Sequence, residues 1–355
     1  MNGPLSELGA RSGQGDSSAS EGGSTPHSTQ ATFDDLVAPW RSEVLAHCYR
    51  MLGSLHDAED ATQETMLRGW RSLGTFEGRS SPRTWLIRIA TNVCIDSANR
   101  SGARAVPMDL TPASPRAVPD GQPRSDVAWL QPYPDRLLID RQPPPHARYE
   151  LKESVELAFI TLLQRLPANQ RAALLLFDVL GFSAAEVAGI MATSTASVNS
   201  ALQRARSFVN TERPDLSQQH NLLALGDSGL SRVVNAFIEA VERGDTDAVV
   251  ALLAQGATWS MPPLSHWYRG LDSIRDFLNR MALRPDWRRV PTHANGQAAV
   301  AGYLWDPQAG RYTAYVIDVL TLRGELITDV TAFIDAALFP ALDLPLTLPS
   351  DSRRS

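Results

Sequence analysis

Apolar residues recur at helical spacing from Phe33 onward, again through Gly181–Val209, and once more from Leu230 to Leu253. From Trp287 the interval shortens towards two. In the first block Leu36, Trp40, Val44, Leu45, Cys48 and Leu52 form one helical stripe that stops at Gly53. A second helix starts near His56 with an acidic first turn, Asp57, Glu59 and Asp60, which suits a helix N-terminus. It runs through Ala61, Thr65, Met66 and Trp70 to Gly74. A third helix follows the loop Thr75–Pro82, with Trp85, Ile89 and Val93 on one side and Arg88, Asn92 and Asp96 on another.

Gly181–Val209 reads as two helices and a tight turn. Ser183 and Glu186 have the spacing of a capping box, and Val187, Ile190 and Met191 share a face. After the turn Ala192-Thr193-Ser194, capped by Ser194 or Thr195, the inward face is Val198, Ala201, Leu202, Ala205 and Val209. Asn199, Ser200, Gln203 and Arg204 share the opposite side, where a helix-turn-helix unit meets base edges. A plain helical hairpin with a solvated face has the same spacing.

Between these blocks, residues 105–149 hold a run of prolines from Pro107 to Pro145 and predict an irregular linker, with the apolar tract Trp129–Asp140 inside it. That tract suits a linker docked on its own domains. Residues 1–31, rich in Ser, Gly and Thr, predict a disordered tail. Beyond a polar connector, 214–229, two helices and the helix Ile274–Met281 precede a strand pattern with turns at Gly296, Asp306-Pro307 and Arg323-Gly324. Helices followed by an antiparallel meander make an α+β domain over 230–340, leaving 341–355 as a tail.

At 355 residues the chain holds two or three domains. No apolar run reaches a membrane span and no leader opens the chain, which predicts a cytoplasmic protein without membrane contact. Cys48 and Cys94 predict buried free thiols, and the seven scattered histidines give no metal spacing. The net charge of −6 is unfavourable for a protein that holds DNA alone, although Arg79–Arg104 carries five arginines against one acid, Asp96.

The tract DAEDATQETMLRGW, followed by FEGRSSPRTWLIRIATN, resembles region 2 of the sigma-70 family in its extracytoplasmic-function branch. LLQRLPANQRAALLLFDVLGFS with the helix-turn-helix resembles region 4. The third domain is similar to the SnoaL-like cone related to nuclear transport factor two, and MPPLSHWYRG looks like the form found in sigma factors with this extension. The resemblance implies region 2 over 32–104, region 4 over 150–213, and a protein that makes no bonds itself. It would bind the clamp helices and flap of core RNA polymerase and open promoters for a specific regulon, under the influence of its extension.

By the same resemblance Glu59, Asp60, Gln63 and Arg68 are candidate polymerase contacts. Arg79, Ser80, Ser81, Arg83, Arg88 and Asn92 would meet the minus-ten element, and Asn199, Ser200, Gln203 and Arg204 the minus-thirty-five element, with Arg206 on phosphate. Trp85 reads as core rather than as a stacking platform. In the cone, Trp259, Met261, His266, Trp267, Tyr268 and Tyr303 are candidate pocket lining. His266, His293, Asp318 and Asp329 are its titratable groups, with no spacing that forms a catalytic dyad. No cofactor is expected, while a small-molecule ligand and an anti-sigma partner remain open. The alternatives are a SnoaL-type enzyme or ligand sensor with a DNA-binding region, and a stand-alone helix-turn-helix repressor.

Overall fold

The computed structural model describes residues 33–119, 121–138, 151–212, 217–284 and 286–350. The expected tail 1–31, the linker residues 139–149 and the final five residues lie outside that set. The first unit packs three helices, α1 (Arg41–Leu52), α2 (Leu55–Ser72) and α3 (Pro82–Ser101). Gly53 ends α1 at φ 67, and a Cβ there would come within 2.8 Å of the Gln164 side chain. The Ser54 hydroxyl accepts from Asp57 N to start α2, and Ser81 does the same from Thr84 N ahead of Pro82. Val44, Cys48, Ala58, Leu86, Ala90 and Cys94 fill the space between them, both thiols free and buried as expected.

The second unit holds α4 (Leu157–Arg165), α5 (Ala168–Leu174, continued by a π-turn at Leu175–Val179), α6 (Ala184–Ile190) and α7 (Thr195–Glu212). Ser183 and Glu186 form a full capping box, Ala192 turns at φ 51, and Ser194 Oγ accepts from Ser197 N. Val198, Ala201, Leu202, Ala205 and Val209 are all buried, as their spacing demands. This unit packs on the first: α3 lies against α5 and α6, and α1 against α4. Two buried arginines fasten them. Arg50 donates to Ser154 O and Oγ, at 3.2 and 2.7 Å, and Arg171 reaches from α5 to Met51 O and Gln164. Burial pulls the Arg50 guanidinium down to about 10, still protonated at neutral pH.

The third unit begins earlier than its apolar period suggests. α8 spans Gln218–Glu242, capped by Ser217 and broken by Gly226 at φ 63, so most of the expected connector is helical. Its first turns are pinned by Gln218, which exchanges hydrogen bonds with Leu322, and Leu222 and Leu225 lean on the cone core. α9 (Thr246–Ala251) and α10 (Leu271–Phe277) complete the helical side.

The sheet contains β1 (Leu253–Ser260), β2 (Trp267–Arg269), β3 (Trp287–Ala294), β4 (Gln297–Asp306), β5 (Arg311–Arg323) and β6 (Leu326–Phe333). After the short α11 (Leu338–Ala341) comes β7 (Thr347–Leu348). The order is β2-β1-β6-β5-β4-β3, with β7 on β5. β3 to β6 form the expected meander, but β1 pairs parallel with β6, so the sheet is mixed. β1 is buried without interruption from Ala257 to Ser260 and shows no alternation to read. The expected tail also changes character, since Ala314 N donates to Leu346 O and β7 joins the sheet.

One face of the sheet closes on α8, α9 and α10 around Phe237, Trp259, Ile274 and Val330. The opposite face, with Tyr303, Ile317, Phe333 and Phe339, joins a core continuous with the two helical units. The linker runs through that junction. Ala105 bridges Trp129, Pro134 bridges Ala294, and Leu130 and Tyr133 are buried. The β3–β4 turn, Asn295-Gly296, has positive φ at both residues, the geometry that Asn-Gly provides in a two-residue hairpin. Such turns ordinarily face water. This one is buried where all the units meet.

Candidate nucleic-acid interface and cone cavity

Asn199, Ser200, Gln203 and Arg204 stand exposed on α7, directly opposite its buried stripe. α6 and the capping box hold that helix, so its polar face is presented rigidly. Arg206, also exposed on α7, pairs with Asp178 and lies 5.0 Å over the Phe177 ring.

At the head of α3, Arg79 is exposed beside Glu77, and Ser80 is exposed on the loop. Ser81 is exposed too, but its hydroxyl is engaged as the helix cap. Arg88 and Asn92 present an open polar edge one turn apart. Arg83 does not share it. Its guanidinium grips Glu43 at 2.6 Å, donates to Leu180 O at 3.0 Å and lies 4.8 Å over Phe182. In this conformation it ties the first helical unit to the second. Trp85 is half-buried with its ring 4.7 Å from Phe76, a packing role.

On α2, Glu59, Asp60 and Gln63 are exposed and Arg68 pairs with Glu64 at 2.6 Å. Leu67 and Trp70, 40% and 43% exposed, extend the same face and were not singled out by sequence. Their i+8 and i+11 spacing from Glu59 carried the signal, but apolar residues in a helical period read first as core.

The cone encloses a cavity of about 340 Å³. Trp259, Met261 and His266 line it as expected, and so do Phe277, Trp287, Arg289 and Asp318. The other three expected wall residues do not. Tyr303 points to the opposite face of the sheet, packing on Phe339 at 5.1 Å, and burial pushes its phenol up to about 12. Trp267 turns to the linker, its indole donating to Thr111 O at 2.8 Å. Tyr268 stacks on Phe277 and its hydroxyl accepts from Val118 N.

Among the titratable groups, His293 is exposed on β3 and Asp329 accepts from Thr258 outside the cavity. Desolvation holds the His266 imidazole below its ordinary value, and burial raises the Asp318 carboxyl against the pull of Arg289. Among the described residues no cluster of His, Cys, Asp and Glu could hold a metal, and no helix is long and apolar enough to cross a membrane.

The Sigma-70 region 2 family matches residues 36–104, Sigma-70 region 4 matches 156–209 and the SnoaL-like domain matches 234–330. The ECF RNA polymerase sigma factor SigG of Mycobacterium tuberculosis is 42% identical over 323 residues, which cover 89% of this chain and 85% of SigG. The chain belongs to the ECF sigma factors. SigJ of the same organism is 28% identical over 299 residues, 82% of this chain and 85% of that protein. The crystal structure of SigJ has the same fold, with a TM-score of 0.56 at 22% identity over 89% of this chain and 99% of that one. This sigma factor is thus an alternative initiation factor of a family that binds core RNA polymerase and promoter DNA, with helical sigma units followed by an α+β SnoaL-like extension.

Proposed function

We propose that this sigma factor reads the minus-thirty-five element with Asn199, Ser200, Gln203 and Arg204 and the minus-ten element with Arg79, Ser80, Arg88 and Asn92. The α2 face of Glu59, Asp60, Gln63, Leu67 and Trp70 meets the polymerase. The observation that carries this reading is α7 itself, with a fully buried inner stripe and a fully exposed polar face of base-reading side chains.

The extension modulates this activity through geometry. Elements named minus ten and minus thirty-five lie about 25 base pairs apart, roughly 85 Å of duplex at 3.4 Å per pair. In this structure the helices that would read them belong to units packed against each other. Both elements can be engaged only after those units separate, and the buried Asn295 hairpin and the linker oppose that separation. The acidic net charge fits the same picture, because the polymerase supplies much of the DNA affinity.

The test is transcription from a promoter library by core polymerase with the full chain or a chain ending at Arg213. Promoter-specific transcripts from both, more from the shorter, are expected. An Arg204→Ala substitution should then relax the preference at one minus-thirty-five position by about 1–3 kcal/mol. Loss of all transcripts with intact core binding would sink the assignment of the promoter contacts.

A further inference from the structure

We propose that the two sigma units carry a latch of their own, made by Arg83 and Arg171, which holds them closed after the extension has let go. Each unit sends one arginine across the seam to the carbonyl end of a helix in the other. Arg171, on α5, donates to Met51 O in the last turn of α1. Arg83, at the head of α3, donates to Leu180 O at 3.0 Å, where the π-turn that continues α5 ends. The last carbonyls of a helix lack partners within it and carry the negative end of its dipole, so a guanidinium meets both needs at once.

Both arginines are fixed before they reach across. Glu43, in the first turn of α1, accepts from Arg83 Nε and Nη2 at 2.8 and 2.6 Å. On the far side of the seam the Phe182 ring lies 4.8 Å from the same guanidinium, with the Glu186 carboxylate near enough to feel its charge. The Arg171 fork is set by Gln164 and Leu166, at 3.0 to 3.1 Å. A planar fork held in this way loses little freedom when it takes one more acceptor. Glu43 and Met51 lie near opposite ends of α1, so the two contacts stand roughly 12 Å apart at about 1.5 Å per residue. A seam pinned at two points resists rotation as well as sliding.

Among the described residues, the hydrogen-bond partners of both arginines all belong to the sigma units, none to the linker or the extension. Arg50 differs. It holds Ser154, next to the Val155 carbonyl that Asn295 takes, so its contact is tied to the hairpin. The latch is also reversible in its chemistry. Burial pulls the Arg171 guanidinium down to about 10, and separation returns the water that closure removed, which offsets part of the lost contact. Departure of the extension is then necessary for opening but not sufficient. The bearing of the latch on transcription rests on the separation proposed above. The latch itself is read from distances, without polymerase or DNA, so either can fail alone.

Single-molecule energy transfer in the full chain tests it. One dye pair, at Ser101→Cys and Thr211→Cys, reports the distance between the sigma units. A second, at Thr211→Cys and Ala309→Cys, reports the extension; all three positions are exposed. In a urea titration the second pair is expected to part before the first, with the helices still intact by circular dichroism. Asn295→Ala, which cuts the hairpin from Val155, should bring release of the extension to lower urea and leave the sigma pair where it was. Arg83→Gln should do the reverse, making separation of the sigma units about tenfold more favourable at a given urea concentration. Glu43→Gln, a change confined to region 2, should shift the sigma pair in the same direction by loosening the Arg83 fork. Coincident loss of the two signals in the native chain, or a sigma pair that ignores Arg83→Gln, would overturn the proposal.

Discussion

Asn295 sits in a hairpin turn, yet its side-chain oxygen, its side-chain nitrogen and its backbone N–H are all used inside the protein. Its Oδ1 accepts from Tyr133 N at 2.9 Å, its Nδ2 donates to Tyr49 Oη and Val155 O, and its backbone N–H goes to Tyr133 O. Asn295→Ala removes the three side-chain bonds, to Tyr133 N, Tyr49 Oη and Val155 O, and places a residue without a side-chain polar group at φ 57. The loss should be about 3 kcal/mol, read as a lowered urea midpoint.

His47 makes a second prediction at this scale. Burial, then the charges of Arg50 and Arg83, lower its pKa from 6.5 to about 3, so the folded protein keeps the ring neutral against Thr91. Below pH 6.5 the unfolded chain binds a proton that the folded chain refuses. Stability is therefore full above that value and falls towards pH 3, by up to about 1.4 kcal/mol per unit. His47→Gln should flatten that acid limb when unfolding midpoints are compared between pH 6.5 and 4. Neither role was legible in the sequence: both residues are polar, and nothing local shows that a partner more than forty positions away will bury them.

Helical periodicity made the elements of the sigma units readable, because one buried stripe per helix leaves the other side free for function. α7 is the clearest case, each residue of its expected inner face being buried. In the cone the same logic failed. The sheet is covered on both faces, so Tyr303 on one side and Trp259 on the other look alike in the sequence. β1 lacks alternation, and β7 has only two residues. The opposite ambiguity arose on α2, where Leu67 and Trp70 match a core pattern but face water. Their replacement by serine should leave stability within about 0.5 kcal/mol while weakening capture of core polymerase. Unchanged affinity in a binding titration would remove α2 from the polymerase interface.

At the scale of the molecule, units distant in sequence share one core, and the part of it drawn from the extension begins with the hairpin at Asn295-Gly296. That position sets a timetable. Regions 2 and 4 are complete by Glu212, but the turn that closes the seam, at Asn295, is synthesised 83 residues after it. At roughly 5–20 residues per second this leaves about 4–17 s in which the emerging chain has both sigma units and no hairpin between them. A newborn sigma factor would thus pass through a receptive period before its own extension closes over it. Ribosome-arrested chains halted after region 4 has emerged should capture core polymerase more readily than released full-length protein. Equal capture would show that the seam does not govern access.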